Sequence, residues 1–400
     1  MKPISPQIAV FLIVFLDVMG FGLIIPSQPF LAEHFGATPA TVTLLGTTYA
    51  LMQFLFAPMW GSASDRLGRR PILLSTIFLT MLGHGIFSAS TSLAMLFVAR
   101  GLAGIGAANI STAQAVLADT NPTNERSRAM AIVGVAFGLG FVVGPALGGI
   151  LFLWDTRAPA ALGALLAAAN FLLVLCTLPE TRKRESTPIT HQRWFGNFIH
   201  MDRTLLPLVS STLLFIIAFS LMEQSVGLFI EAKWVDASNP MRMHHATKLT
   251  SAFLVVVGIT AIVAQGYFVR RWLRSRGEKP LILGGLGLVA MSLLLIPILG
   301  YVGNYPCFLL AGIGLAFGSG MYNPSMAGLV SIVSPNDRQG QSLAMNQSAA
   351  ALGRIIGPTI SGTFFTWNLN LPYGAGTLLL LVASLIIYRF KTTTCEQSTR

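Results

Sequence analysis

Twelve largely apolar stretches, each about 18 or more residues long, run through this chain from end to end. They cover approximately residues 8–31, 40–63, 71–91, 93–118, 129–153, 158–178, 204–230, 247–269, 280–300, 304–333, 340–366 and 371–389. A helix rises 1.5 Å per residue, so about 20 residues cross the ~30 Å hydrocarbon core of a bilayer. Charged residues make up only 10% of the 400, less than half the share of an ordinary soluble domain. A soluble fold cannot dispose of that much apolar surface. In lipid, every backbone polar group must find an internal partner, which makes such runs helices. The expected fold is therefore an all-α membrane protein with twelve transmembrane helices. The first run is too long for the core of a secretory signal, contains Asp17 and lacks a small-residue cleavage site, so it reads as a retained span. Cys176, Cys307 and Cys395 show no metal-ligand or CxxC spacing, so no disulfide framework, metal site or cofactor is expected.

The formal net charge of +11 would suggest nucleic acid in a soluble protein. Its placement argues otherwise. With the N-terminus inside, 20 Lys and Arg fall in cytoplasmic segments and 4 (Arg157, Lys233, Arg242 and Lys248) outside, while Arg100 and Arg354 lie within spans. By the positive-inside rule both termini are cytoplasmic and the number of spans is even. The partners are then a bilayer, here the cytoplasmic (inner) membrane, and not nucleic acid.

A long polar gap at 179–203 divides the spans six and six, giving an N-terminal bundle (1–178), a cytoplasmic linker and a C-terminal bundle (204–400). The halves repeat one another. Leu102-Ala-Gly-Ile-Gly106 in the fourth span recurs as Leu310-Ala-Gly-Ile-Gly314 in the tenth, Gly144-Pro145 in the fifth as Gly357-Pro358 in the eleventh, and Gly61 with Arg66 as Gly266 with Arg271. Three matches in one order point to tandem duplication and two pseudo-symmetric halves. In membrane transporters that arrangement places the substrate site between repeats, near the midplane.

Between spans two and three stands Gly61-x-x-x-Asp65-Arg66-x-Gly68-Arg69-Arg70. It resembles the signature loop of the major facilitator superfamily. Arg100 with Gly101, Gly104, Gly106 and Ala107 resembles that family's fourth-helix motif, and Gly140-x-x-x-Gly144-Pro145-x-x-Gly148-Gly149 its fifth-helix motif, associated with exporters that exchange substrate for protons. Pro26-x-x-Pro29 after Gly20-Phe-Gly22 is similar to the twelve-span drug:proton antiporters of the tetracycline-exporter branch. The resemblance covers nearly the whole chain. It implies a latch that holds the outward-open state, built on the loop motif with Arg66, Asp119 and Arg128 as partners. The residues alone also allow a positively charged anchor at the cytoplasmic face. In the second half Arg270 stands where the first has Asp65, so the latch is one-sided. The fifth-helix glycines admit either close packing or an exporter hinge, since Pro145 removes a backbone hydrogen bond.

Ionisable groups in hydrocarbon cost several kcal/mol, so each is a functional candidate. Asp17 and Glu223 occupy nearly corresponding positions of spans one and seven, where a carboxylate suits proton or cation handling; a hydrogen-bonded structural role is the alternative. Arg100 matches the family arginine tied to proton translocation, or pairs with a carboxylate. Arg354 either pairs with Glu223 or meets an anionic substrate group. Gln53, Asn109, Gln114, Gln224, Asn323, Asn346 and Gln347 line the same cavity or bond between helices, and His84 reads as structural rather than as a proton relay.

The resulting expectation is a monomeric, proton-driven exporter of small amphipathic drugs, tetracycline-like or multidrug, with the proton gradient as its energy source. A symporter or exporter of a metabolite, sugar or lysolipid on the same fold is the alternative. A membrane-embedded enzyme is a remote third: the sequence has no HExxH, no GxSxG and no acid cluster at metal-ligand spacing.

Overall fold

The computed structural model describes residues 5–121, 126–181, 204–236, 238, 241–334 and 339–390. Of the expected linker, residues 182–203 lie outside the described residues. Among the described residues there are fifteen α-helices and no strand: α1 (Pro6–Ile24), α2 (Gln28–His34), α3 (Pro39–Leu67), α4 (Arg69–Ser88), α5 (Leu93–Gly106), α6 (Ile110–Thr120), α7 (Arg126–Phe152), α8 (Ala158–Thr177), α9 (Leu206–Trp234), α10 (Arg242–Val263), α11 (Arg270–Arg276), α12 (Glu278–Val302), α13 (Tyr305–Val333), α14 (Gln339–Trp367) and α15 (Leu371–Arg389). Ten spans among the described residues are long and apolar enough to cross a bilayer, with α5 and α6 counted as one. The more polar α10 and α14, of 22 and 29 residues, stand at the positions of the eighth and eleventh expected spans.

Helix starts follow local chemistry. Thr38 and Asn304 accept backbone N–H groups of Thr41 and Cys307 with their side chains, and Pro39 and Pro306 lie in the first turn, where no N–H is needed. α3 ends and α4 begins at Gly68, whose φ of 108° is open only to a residue without Cβ. Large apolar side chains such as Met59, Val98, Leu165, Leu310 and Leu378 stand exposed. Such a surface fits lipid and not water.

The chain forms two compact units. The first comprises Met1–Thr190 with Val226–Ile259, the second His191–Ser225 with Thr260–Arg400. In the first, α1 packs against α7 and α8, α4 against α5 and α8, and α3 against α5. Ile13, Val14, Leu73, Ile77, Val116, Leu117 and Val174 form the core among these helices. In the second, α12 packs against α13 and α15.

The internal repeat has a physical counterpart inside each unit. A Cβ on Gly144 of α7 would stand 2.6 Å from the Met19 carbonyl oxygen of α1, and one on Gly357 of α14 would stand 2.5 Å from Ser220 Cβ of α9. Each Gly-Pro pair thus lets its helix lie against the backbone of the first helix of its repeat. Gly106 meets Thr80 of α4 in the same way that Gly314 meets Ser292 of α12.

Candidate functional site

The fourth span is broken. Between α5 and α6, Ala107–Asn109 form a short 3-10 turn in which Ala108 leaves helical geometry with ψ 21°. Carbonyls freed at such a break need donors where no water is at hand. Two side chains of α3 supply them: Trp60 Nε1 donates to the Ile105 carbonyl at 3.0 Å and Gln53 Nε2 to the Ala107 carbonyl at 3.1 Å. The break turns buried Asn109 toward α1, where its Nδ2 donates to Asp17 Oδ2 at 2.5 Å. Asn170 of α8, fully buried, donates to Asp17 Oδ1 at 3.2 Å. Hydrogen bonds to a charged group are worth about 1.5–3 kcal/mol each, so two amides hold this carboxylate in one orientation. Asp17 thereby joins three helices at the depth of the broken span.

Arg100, about two turns before the break, is 2% exposed. Its guanidinium lies 4.4 Å from the Tyr49 ring centroid and 5.2 Å from that of Phe21, and the two rings are 4.7 Å apart. Cation–π attraction of this kind contributes about 2 kcal/mol where water is excluded. Buried His84 of α4 fills the space left by two glycines: a Cβ on Gly20 or Gly163 would come within 3.1 and 3.2 Å of its ring.

The fifth-helix glycines set the height of α1. Gly140, Gly144 and Gly148 lie four residues apart on one face of α7, and an added Cβ on them would strike the backbone at Phe15, Met19 and Leu23 respectively. Asp17 sits within that stretch. Pro145 packs beside Gly22, while Gly149 faces α10, where a Cβ would overlap Ser251.

In the second unit, buried Asn346 of α14 accepts from Thr212 Oγ1 of α9 at 2.6 Å. Tyr322 of α13 lies 3.1 Å from Ser211 Oγ, and its ring stacks on Phe215 at 3.9 Å. Glu223 and Arg354 are half-buried and Gln347 is exposed.

Around the loop motif, Arg69 is the hub. Its guanidinium pairs with Asp65, with Asp119 of α6 at 3.0 Å and with Ser64 Oγ at 2.9 Å. Glu180, beyond α8, accepts the backbone N–H of Arg69 at 2.9 Å and of Arg70 at 3.2 Å, capping the N-terminus of α4. Arg70 reaches the Leu175 carbonyl at 2.6 Å, and Gly61 leaves ordinary van der Waals room for Ser111. Of the expected latch partners Arg66, Asp119 and Arg128, Asp119 joins the network through Arg69, which also meets Asp65. The Arg128 side chain lies outside the described residues.

Asn170, Tyr49, Phe21, Trp60 and Glu180 were not singled out by sequence reasoning. Asn170 alone carried a signal, as a lone amide in an apolar run. Among the described residues no group of three or more His, Cys, Asp or Glu could hold a metal ion. The arrangement offers an oriented carboxylate, an aromatic-clamped cation and the neutral amides of Gln53, Asn109 and Asn170. Chemically it can exchange protons or bind a polar group.

The sequence matches the model of the Major Facilitator Superfamily over residues 10–358 and again over 241–398. The chain belongs to that superfamily. It is 30% identical over 381 residues to the class H tetracycline resistance protein of Pasteurella multocida, covering 94% of this chain and 93% of that one. It is likewise 30% identical over 392 residues to the class C tetracycline resistance protein of Escherichia coli, covering 96% of each. Among solved structures, that of a D-xylose–proton symporter superposes with a TM-score of 0.74 at 17% identity, over 98% of this chain and 99% of the other, a likeness of fold. The resemblance to the tetracycline-exporter branch stands, and the chain is a membrane-embedded transporter of the superfamily and not an enzyme.

Proposed function

We propose that this superfamily member exports small amphipathic drugs, tetracycline-like compounds first among them, in exchange for protons. In this reading the chain is a monomer of the inner membrane with both termini in the cytoplasm. Its twelve spans form two six-helix halves, 1–178 and 204–400, that rock about a midplane cavity. One observation carries the reading: Asp17, the oriented carboxylate of the first span, is fixed by Asn109 and Asn170 at a break in the fourth, in a chain akin end to end to tetracycline resistance proteins. Asp17 carries the exchanged proton, and Glu223 serves the corresponding role in the second half. Arg100 and the Tyr49 and Phe21 rings line the substrate path. The loop motif, through Asp65, Arg66, Arg69 and Asp119, latches one state, and Gly140 to Gly149 fix the first helix.

The test is proton movement in inside-out vesicles on addition of tetracyclines, lipophilic cations or uncharged drugs. Substrate-triggered proton release from the lumen that is lost in Asp17→Asn supports the reading. Unchanged release in both Asp17→Asn and Glu223→Gln defeats the coupling role. A second reading, transport of an anionic metabolite, has its own observation in buried, aromatic-clamped Arg100. Anion transport that is lost on Arg354→Ala or Arg100→Gln, with no response to any drug, selects it.

A further inference from the structure

At the opposite end of α3 from Asp65 and Arg69, about 40 Å away along a helix of 29 residues, a second group of charges sits where α2 meets the tip of α9 and the start of α10. All three segments belong to the first compact unit. Arg242 Nε donates to Glu231 Oε1 at 2.5 Å, and Glu231 is 5% exposed. Glu33 of α2, half-buried beyond the end of the first span, comes within side-chain hydrogen-bonding reach of the same Glu231. Two carboxyls can share a hydrogen bond only if a proton stands between them. One arginine cannot neutralise both.

Beneath the charges lies an apolar plug. Phe30 of α2, Phe152 of α7 and Ala246 of α10 are buried against one another, flanked by Val235 and Met243, with the two phenylalanine rings 6.4 Å apart. Gly149 of the fifth-helix motif meets Ser251 one turn deeper with no room for a Cβ. Segments from the two sequence repeats thus close on each other here, dry inside and charged outside.

We propose that Glu33, Glu231 and Arg242 form a proton-operated clasp over this plug, a proton-binding site separate from Asp17, closed when the two carboxyls share a proton and released when both ionise. Burial, and then the neighbouring Glu231 by charge and hydrogen bond, push the Glu33 carboxyl up to about 7, against the opposing pull of Arg242. The sign follows. A raised carboxyl favours the clasped state as pH falls below about 7, and that support is lost as pH rises through it. The other charged or titratable groups on these segments are His34 and His244, whose rings approach Phe35 and Phe152, Asp155, which accepts the Arg157 amide at 2.7 Å, and Lys233, Asp236, His245 and Lys248. With the topology proposed above, this end faces the exterior. Acid there would load a proton and shut the outer mouth, the return step an exchanger needs after its cargo has left. That placement in the cycle rests on the exchange reading; the clasp itself does not.

The experiment is pulsed EPR between spin labels on exposed Thr38→Cys and Ser238→Cys, with the three native cysteines replaced, in lipid nanodiscs without substrate or gradient. The expected result is one short distance at pH 5.5 and a second, longer population appearing with a midpoint near pH 7. Glu33→Gln, which keeps the hydrogen bond and removes the charge, holds the short distance at pH 8.5. Arg242→Gln, which removes the cation favouring the ionised form, moves the midpoint to higher pH. A distance independent of pH in the native background, or a Glu33→Gln profile that tracks the native one, overturns the clasp. Because no drug or gradient is present, either outcome is separable from failure of the exchange reading.

Discussion

A single methyl group at Gly144 should separate two helices that the exchange reading needs in contact. The added Cβ would stand 2.6 Å from the Met19 carbonyl oxygen and 2.9 and 3.1 Å from the Gly22 Cα and carbonyl carbon. All three are backbone atoms and cannot rotate aside. Ordinary contact begins near ~3.5 Å, so α1 and α7 must part by about 1 Å. A gap of that size forfeits up to about half of each dispersion contact along the interface. Overpacking of this kind costs about 1–3 kcal/mol, partly offset by the ~1 kcal/mol that alanine gains over glycine in a helix. Gly85 supplies the control, since its Cβ would meet nothing within 4 Å. Gly85→Ala should therefore keep the propensity gain without the clash. The two variants should differ by about 2 kcal/mol in reversible unfolding in mixed micelles, with Gly144→Ala below the native protein and Gly85→Ala at or above it. Equal stability of all three would refute the close-packing account of the fifth-helix motif.

Two further outcomes follow from hydrogen bonds made across elements. Glu180→Gln keeps the shape but weakens the charged cap on the Arg69 and Arg70 amides, costing about 1 kcal/mol locally; hydrogen exchange at the first turn of α4 should quicken severalfold while α8 is unchanged, and uniform protection would rule the cap out. Trp60→Phe retains the ring and removes the donor to the Ile105 carbonyl, leaving a buried acceptor unsatisfied at about 1–3 kcal/mol; a thermal midpoint equal to native would mean that the break in the fourth span is held by other contacts.

Most of the helices were legible because a chain in lipid has little choice: each apolar run of sufficient length must satisfy its own backbone, and pattern alone locates it. The break at Ala107–Asn109 was not, since nothing in Gly-Ala-Ala-Asn-Ile demands it; α3 stabilises it from outside with Gln53 and Trp60. The same limit governs the site. Asp17 and Asn109 were visible as polar groups at depth, but their union with Asn170 needs three helices in register, which the glycines of α7 help to impose. At the loop motif the residue types were readable and the pairing was not: Gly68 ends one helix and starts the next, and that turn aims Arg69 at Asp65 and Asp119.

The charges at the far end were hidden for a different reason. Glu33, Glu231 and Arg242 lie at the edges of spans, where charge is ordinary and a count for orientation treats it as solvated. Only the fold shows Glu231 buried beneath an arginine and beside a second carboxyl. The two charged clusters of the first unit are accordingly unlike in kind. Asp65, Arg69 and Asp119 form a network in which one cation meets two anions, with the α4 N-terminus capped by Glu180. Glu33, Glu231 and Arg242 have the same formal count, one cation against two carboxyls, yet the carboxyls there face each other and repel when ionised. The first arrangement gathers its anions on one guanidinium, whereas the second sets two carboxyls against each other, so that their interaction depends on the proton between them. A transporter with a fixed tie at one end of its helices and a protonatable one at the other has a physical basis for opening the two ends at different times.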